Sequence, residues 1–469
     1  MEVSFKPAGC LLKFWTTIQQ CGFASVLLKP DSYMRGCRCS MIMGFTKPIE
    51  HSNLTTKEGD FMNPLYVGID VSSKDNVIYL MLPDGDKHSN FSVANSHDGS
   101  TQLVKRILSA MESHSLDTVL VGLEATSVYG DNLVYFLRED ATLASFNRKI
   151  HVLNPKQVKK FKEAYNDLPK NDYVDSFVIA DCLRFGRINK EVYIGDYRYK
   201  ALQNLTRARY FAVTNLTKEK QRFMNVLFKK YSTMTQEKVF SDTFSTTALA
   251  VYDEFESAEA LAYMDLQELT AFIMKKGKNR FPNPDAVAKA IQKAARSSYR
   301  LPKTVNDSVN QVLSISITSI KALEAQIKEF DKAIAAQVEL LPNVLISIPG
   351  IGPVYSAGIM AEIGDINRFE NHAQLAKYAG LAWTQYQSGN FEAENTQLIK
   401  SGNRFLKYYL CEAAFSLVRC DKEYRDFYHL KYKEVNRCQH KRALALTARK
   451  FVRLVFALLK DNRLYRPAE

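Results

Sequence analysis

The feature that most constrains the fold is a group of three short extended segments just after residue 64. Residues 65–71, 77–82 and 91–93 are rich in apolar and β-branched side chains, and a polar stretch separates the first two segments. Segments this short and this closely spaced predict three adjacent strands in hairpin order.

The pattern then changes to helices that alternate with strands. Apolar spacing predicts a helix over 101–111, a buried strand over 119–123, a helix around 133–137 and a strand over 150–153. Antiparallel strands followed by this alternation predict an α/β domain with an RNase H-like layout. We assign this domain to residues 62–190.

Beyond residue 190 the apolar spacing is almost entirely helical. Two long amphipathic helices, within 198–230 and 309–334, predict a helical coiled-coil connection over 191–342, and a mostly helical domain follows at 343–469. A dimerising stalk and a bundle closed within one chain fit this spacing equally well. The predicted fold class is therefore α/β followed by all-α.

The first 61 residues show no steady period and hold half of the eight cysteines. This appended segment is either upstream of a true start at Met62 or a small disordered arm. Cysteines this sparse, with none in C-x-x-C spacing, predict a reducing cytoplasm and no structural zinc. No apolar run is long enough to predict a membrane segment.

Basic residues exceed acidic residues by 63 to 50, and the excess is concentrated in two stretches. Residues 198–230 carry nine basic side chains against one acidic, and residues 400–453 carry fourteen against five. An even excess could serve solubility alone, whereas local concentration favours a surface that faces nucleic acid. The candidate phosphate-binding side chains are Arg207, Arg209, Lys400, Arg404 and Lys407.

Four carboxylates stand where a metal site could form. Asp70 and Glu124 each end a predicted strand, and Asp172 and Asp175 lie three apart on a predicted helix, so that this pair projects from one face. Grouped carboxylate oxygens suit Mg²⁺. In a chain with 50 acidic residues such a set also arises by chance on the surface.

Two further loops are candidates for contact with nucleic acid. Gly350 and Gly352, just before a predicted helix over 355–363, are typical of a helix-hairpin-helix motif, in which backbone N–H groups meet a phosphate, although an ordinary turn also fits. Ser388 precedes a glycine in a polar loop and by its chemistry alone is a turn residue, because a hydroxyl needs a base or a metal to become a nucleophile.

Taken in order, six motifs resemble the DEDD transposases of the insertion-sequence IS110 family, the bridge-RNA-guided recombinases. The resemblance extends from about Met62 to the C-terminus. The motifs are Gly68-Ile69-Asp70, Glu124-Ala-Thr126, Lys170-x-Asp172-x-x-Asp175, Ile348-Pro-Gly350-Ile-Gly352, Gln387-Ser388-Gly389 and Lys400-x-Gly402-Asn403.

The resemblance implies a RuvC-like N-terminal domain, a helical coiled-coil connection and a C-terminal transposase domain with a serine nucleophile. By matching motif, the metal ligands would be Asp70, Glu124, Asp172 and Asp175, and the nucleophile would be Ser388. The implied reaction is transfer of a DNA phosphodiester to that serine with Mg²⁺ as cofactor, directed by an element-encoded guide RNA. The carboxylate and serine sites would meet across subunits of a homo-oligomer, a dimer or tetramer, in a prokaryotic cytoplasm and near the nucleoid.

Three positions depart from the family pattern. Asn171 and Ser176 replace Thr and Ala beside the acidic pair, and Lys407 stands where Arg is usual, which weakens a bidentate phosphate contact but keeps the charge. Two other functions remain open: a metal-dependent junction nuclease that uses water, and a non-catalytic nucleic-acid-binding protein.

Overall fold

The structure is a computed structural model of the whole chain. It describes residues 63–125, 128–165, 168–169, 171–186, 197–237, 239–384, 387–388, 391–392 and 397–467. These residues belong to two units, one within Ser32–Ile194 and one within Gly195–Glu469. The appended segment 1–61 lies outside the described residues, so its interpretation stays a prediction.

The N-terminal unit is built on a five-stranded sheet with the order β3-β2-β1-β4-β5. The strands are β1 Pro64–Val71, β2 Asp75–Met81, β3 Lys87–Ala94, β4 Thr118–Glu124 and β5 Asn147–Leu153. β2 runs antiparallel to its two neighbours, β1 and β3. β4 lies between β1 and β5 and runs parallel to both. The mixed α/β domain predicted from the hairpin order and the later alternation is confirmed.

Helices cover both faces of this sheet. They are α1 His97–Ser113, α2 Asp131–Glu139, α3 Pro155–Lys162 and α4 Asp172–Arg184. Leu65, Val67 and Ile69 alternate along β1 and pack in one core with α1 and α2. The opposite face receives α4, whose buried side chains Val178 and Ile179 pack with α3 and β5.

The second unit is almost entirely helical. Its helices are α5 Tyr197–Lys230, α6 Ser232–Glu237, α7 Thr246–Glu254, α8 Ala258–Tyr263, α9 Leu266–Lys276, α10 Pro284–Arg296, α11 Lys303–Val338, α12 Pro353–Ile363, α13 His372–Tyr378, α14 Arg404–Cys420, α15 Lys422–Lys433 and α16 Gln439–Asp461. A two-stranded hairpin, β6 Gln387–Ser388 with β7 Phe391–Glu392, lies between α13 and α14. None of the described helices is long and apolar enough to cross a membrane.

The two long helices α5 and α11 pack against each other within the chain and run antiparallel. Arg209 pairs with Asp331, whereas Lys220, further along α5, reaches back to Glu324 at 2.6 Å. One core at one end of the pair contains the short helices α6 to α10, and a second core at the other end contains α12 to α16. The two long helices therefore pair within the chain; the coiled-coil connection, the dimerising stalk and the domain boundary at residue 342 stay predictions.

Candidate active site

Asp70 and Glu124 stand side by side at the ends of two neighbouring parallel strands. In the register of β1 and β4, Gly68 pairs with Gly122, and Ile69 pairs with Leu123. Asp70 and Glu124 are the next residues along the two strands, so both end at the same edge of the sheet. Because side chains alternate along a strand, both carboxylates face the same side as the two glycines.

That side of the sheet is where α4 packs, and the glycines make the packing possible. A Cβ on Gly68 would lie 2.0 Å from the backbone oxygen of Ser176, and one on Gly122 would lie 2.9 Å from the Leu183 side chain. The missing side chains therefore let the helix lie directly on the strands. Asn171 caps this helix, with its Oδ1 accepting from the Val174 N–H at 2.8 Å.

The first turn of α4 carries the other two carboxylates to the strand ends. Burial is the main cause that raises the pKa of Asp70 to about 6, and the negative charges of Asp172 and Asp175 add to the rise. Burial, then the charges of Asp70 and Asp175, raises the pKa of Glu124. The charges of Asp172 and Asp175 on the helix therefore reach the carboxylates at the strand ends and, with burial, disfavour the ionised forms of Asp70 and Glu124.

Lys162 brings a positive charge to this group, and sequence reasoning missed it. Its Nζ donates to Asp175 Oδ1 at 2.5 Å, and its charge lowers the pKa of both Asp70 and Glu124 against the larger opposing effects. It is the last residue of α3, which ends among several lysines. Nothing in the sequence distinguishes it from exposed Lys159 and Lys160 of the same helix.

The donor chemistry of the acidic group suits Mg²⁺, which takes hard carboxylate oxygens. Among the described residues, however, no three Asp, Glu, His or Cys side chains already converge closely enough to hold a metal ion. The carboxylates share one edge of the sheet without enclosing a common point, and one of them is paired with the lysine. The group therefore fits a metal by composition and charge, and closing around one requires side-chain movement.

The predicted nucleophile lies in the other unit. Ser388 pairs with Phe391 through the backbone in the β6–β7 hairpin, and a second bridge joins Trp383 to Leu398. The Ser388 side chain and the turn at 389–390 lie outside the described residues. The backbone of Ser388 thus lies in a hairpin, and the role of its hydroxyl as a nucleophile stays a prediction.

The segment that follows this hairpin is fixed by close backbone packing. Gly402 has φ +122°, and a Cβ there would lie 2.5 Å from the backbone nitrogen of Gly380. Asn403 caps α14, with Oδ1 accepting from the N–H groups of Phe405 and Leu406, each at 3.0 Å. Gly402 and Asn403 of the Lys-x-Gly-Asn motif therefore hold the start of α14 in position.

Arg207 and Arg209, predicted to bind phosphate, both make ion pairs within the helical unit. Arg207 binds Glu362 in a bidentate pair, Nε to Oε1 at 2.7 Å and Nη2 to Oε2 at 2.9 Å. Glu362 is fully buried and also accepts from Asn403 Nδ2 at 2.7 Å. Arg209 is paired with Asp331. These partners account for both arginines structurally, and nucleic-acid contact through either one stays a prediction.

The basic residues predicted around α14 have different settings. Lys400 and Arg404 are exposed, and the Arg404 guanidinium lies 5.5 Å from the centre of the Phe211 ring and 4.8 Å from that of Phe405. Lys407 is partly buried, and burial lowers its pKa. Lys400 and Arg404 are thus the more accessible phosphate candidates.

The two glycines of the predicted helix-hairpin-helix motif differ as well. Gly350 has φ +84°, and a Cβ there would lie 2.8 Å from Cys420 Sγ, so this glycine is needed for the turn. Gly352 begins α12 as its N-cap and has open space around its Cβ position. Only Gly352 therefore offers a helix start that another molecule could approach closely.

Two family models match the chain. Residues 67–231 match one for DEDD-type IS110 transposases, and residues 343–429 match one described as the transposase IS116/IS110/IS902 family. Together the matches include all four carboxylates and Ser388.

Two curated relatives are similar over most of the chain, and a third over about a third of it. The uncharacterized 44.8 kDa protein of insertion element IS116 from Streptomyces clavuligerus is 25% identical over 85% of this chain and 98% of its own length. The uncharacterized 42 kDa protein of IS900 from Mycobacterium paratuberculosis is 23% identical over 86% of this chain and 98% of its own length. The transposase of IS1111A from Coxiella burnetii is 31% identical over 34% of this chain and 44% of its own length.

Among solved structures, T. thermophilus RuvC in complex with a Holliday junction substrate is similar over 27% of this chain and 99% of that chain. The identity is 14% and the TM-score is 0.21.

Proposed function

Because the chain belongs to the IS110 family of transposases, we propose that it cuts and rejoins DNA through a serine–phosphodiester intermediate, with Mg²⁺ held by the acidic group and a guide RNA choosing the DNA. The observation that carries this proposal is the placement of Asp70 and Glu124 at neighbouring strand ends, next to the helix turn that bears Asp172 and Asp175. Burial and neighbouring negative charges act against ionisation of Asp70 and Glu124, an arrangement typical of a functional site, and a bound cation would relieve that repulsion.

In this proposal the four carboxylates bind the metal, and each has a defined support. β1 and β4 fix Asp70 and Glu124, while the capped first turn of α4 fixes Asp172 and Asp175. Mg²⁺ bound there would polarise a phosphate oxygen and stabilise the charge that develops during transfer. In this proposal the backbone of the strands and of α4 stays in place, and side-chain movement brings the carboxylates together around the metal.

The proposed bond changes balance around one phosphorus atom. The Ser388 oxygen forms a bond to the scissile phosphorus as the bond to a deoxyribose oxygen breaks, and the hydroxyl proton leaves to a base or to water. Attack by the freed end of another strand then reverses the step, so that the serine is regenerated. The number of phosphodiester bonds is conserved, and no external energy source is needed.

The nucleic-acid partners of the proposal are the element ends, the target DNA and the guide RNA. Lys400 and Arg404 are exposed at the start of α14, and Gly352 opens the N-terminus of α12. Cationic side chains and helix N-terminal N–H groups bind phosphates without reading bases, which leaves the choice of sequence to RNA pairing. A homo-oligomer that contributes the serine and the carboxylates from different subunits is part of this proposal.

The decisive experiment tests Ser388→Ala with DNA that carries the element ends and with the element-encoded guide RNA. We expect the covalent protein–DNA adduct to be lost on denaturing gels, while DNA and RNA binding persist. Ser401→Ala, which alters an exposed serine in the same region, is the matched control and should keep the adduct.

Two results would contradict the proposal. An adduct that survives Ser388→Ala would exclude this nucleophile. Free cleaved ends that form equally well in the parent chain and in Ser388→Ala would instead indicate the water-dependent junction nuclease.

A further inference from the structure

Lys162 is held in place more firmly than an ordinary surface lysine. Phe161, just before it, packs in the core between α3 and α4, with its ring 5.6 Å from that of Phe185. Tyr165, three residues later, donates its hydroxyl to Asp181 in the last turn of α4. The chain on both sides of Lys162 is therefore anchored to the helix that carries Asp172 and Asp175.

The ammonium group of Lys162 is directed at the acidic group from this anchored position. It donates to Asp175 at 2.5 Å, and its side chain is three-quarters buried. Its charge acts on Asp70 and Glu124, which extend from the strands, as well as on its partner on α4. One cation therefore serves carboxylates from three separate elements.

We propose that Lys162 is the built-in counter-ion of the metal-free site, holding the carboxylates together and competing with the metal for them. This inference rests on the proposed metal site. A divalent cation placed among the same carboxylates would be repelled by the ammonium. Metal binding therefore requires the Lys162 side chain to leave Asp175. Lys162 acts as a positioning residue that holds the metal-free site together and lowers its affinity for a metal.

The alternative is a purely structural lysine. Lys162 lies in the last turn of α3, where a positive charge also stabilises the helix dipole. A structural lysine would affect folding alone, whereas a counter-ion affects folding and metal affinity with opposite signs. This difference makes the two roles distinguishable.

The test uses the full chain, stripped with EDTA and free of DNA, and follows Mn²⁺ binding by the EPR signal of the free ion. We expect Lys162→Gln to melt at a lower temperature than the parent chain in EDTA, yet to bind Mn²⁺ about tenfold more tightly because the competing charge is gone. Lys162→Arg should restore parent behaviour in both measurements. Lys160→Gln, which removes an exposed charge from the same helix, should change neither.

The outcomes separate this inference from the proposed function. If the parent chain binds Mn²⁺ in a manner lost in Asp70→Asn, but Lys162→Gln binds it equally or more weakly, the counter-ion role is wrong and the metal site stands. If the parent chain shows no binding that depends on Asp70, the metal site and the counter-ion role are both wrong.

Discussion

The acidic edge of the sheet and the buried Glu362 cluster of the helical unit use the same charged groups in opposite ways. Glu362 is fully buried, and Arg207 and Asn403 supply it with three short hydrogen bonds. At the sheet edge Lys162 pairs with Asp175 and its charge also acts on Asp70 and Glu124, yet burial and like charges raise the pKa of Asp70 to about 6. The first cluster surrounds one carboxylate with donors, whereas the second places several carboxylates near one another, where like charge and burial act against ionisation of Asp70.

The two clusters therefore differ in how much free energy they can contribute to binding a further ligand. A satisfied buried ion pair contributes to one folded arrangement and has little left to offer a ligand, because its donors and acceptors are already used. Repulsion between like charges lowers the stability of the folded chain in the absence of a cation. A bound cation removes this repulsion, and the free energy recovered adds to its affinity. Removing a carboxylate should therefore lower stability in the first cluster and raise it at the sheet edge.

The largest effect is expected in the satisfied cluster. Glu362→Ala would leave the partly exposed Arg207 without this carboxylate, would empty a fully buried position and would remove an anchor of Asn403 at the start of α14. We expect a loss of about 3–5 kcal/mol in the free energy of unfolding, measured with denaturant. Glu339→Ala, at an exposed position, is the control and should stay within about 0.5 kcal/mol of the parent chain. Equal, small effects of both changes would mean that the cluster is not a stabilising one.

A second prediction tests how the acidic edge is assembled. Gly68→Ala would place a methyl group 2.0 Å from the Ser176 backbone oxygen, and α4 would have to move away from the sheet. We expect a cost of about 3 kcal/mol in unfolding free energy, together with weaker metal binding because Asp172 and Asp175 move with the helix.

Gly352→Ala is the matched control for that change. Nothing lies within 4 Å of its Cβ position, so the cost should be below about 1 kcal/mol, the usual penalty for an alanine N-cap. If Gly68→Ala proves as mild as this control, the close approach of α4 to the strands is not what assembles the site.

The comparison also explains how much the sequence could predict. Alternation and helical spacing are local signals, so the strands, the long helices and the Asp172–Asp175 pair could be predicted from neighbouring residues. Asp70 and Glu124 could be paired because strand ends in a parallel sheet meet at one edge.

Contacts between distant segments leave no such signal. Arg207 and Glu362 are 155 positions apart, and nothing in the basic run around Arg207 indicates that a buried acid uses it. Lys162 likewise becomes special only after α3 and α4 have packed together. The sequence therefore predicted which carboxylates gather, but not which cation accompanies them or which arginines are already engaged.

The smallest predicted effect is a pH-dependent gain of stability at the acidic edge in the absence of metal. The pKa of Asp70 is about 6 in the folded chain, against an ordinary value of 3.8. The folded state therefore holds this proton more tightly than the unfolded state, and the free energy of unfolding decreases as the pH rises from about 4 to above 6. Asp70→Asn removes that loss, so in EDTA at pH 7.5 we expect it to be more stable than the parent chain by about 1 kcal/mol after allowance for solvent screening of this half-exposed group. Well below the ordinary pKa of 3.8 both states of the parent chain are protonated at this position, and the difference should vanish. Thermal melts of both chains across this pH range measure the effect, and a variant less stable than the parent at pH 7.5 would mean that the edge carries no electrostatic surplus for a metal to relieve.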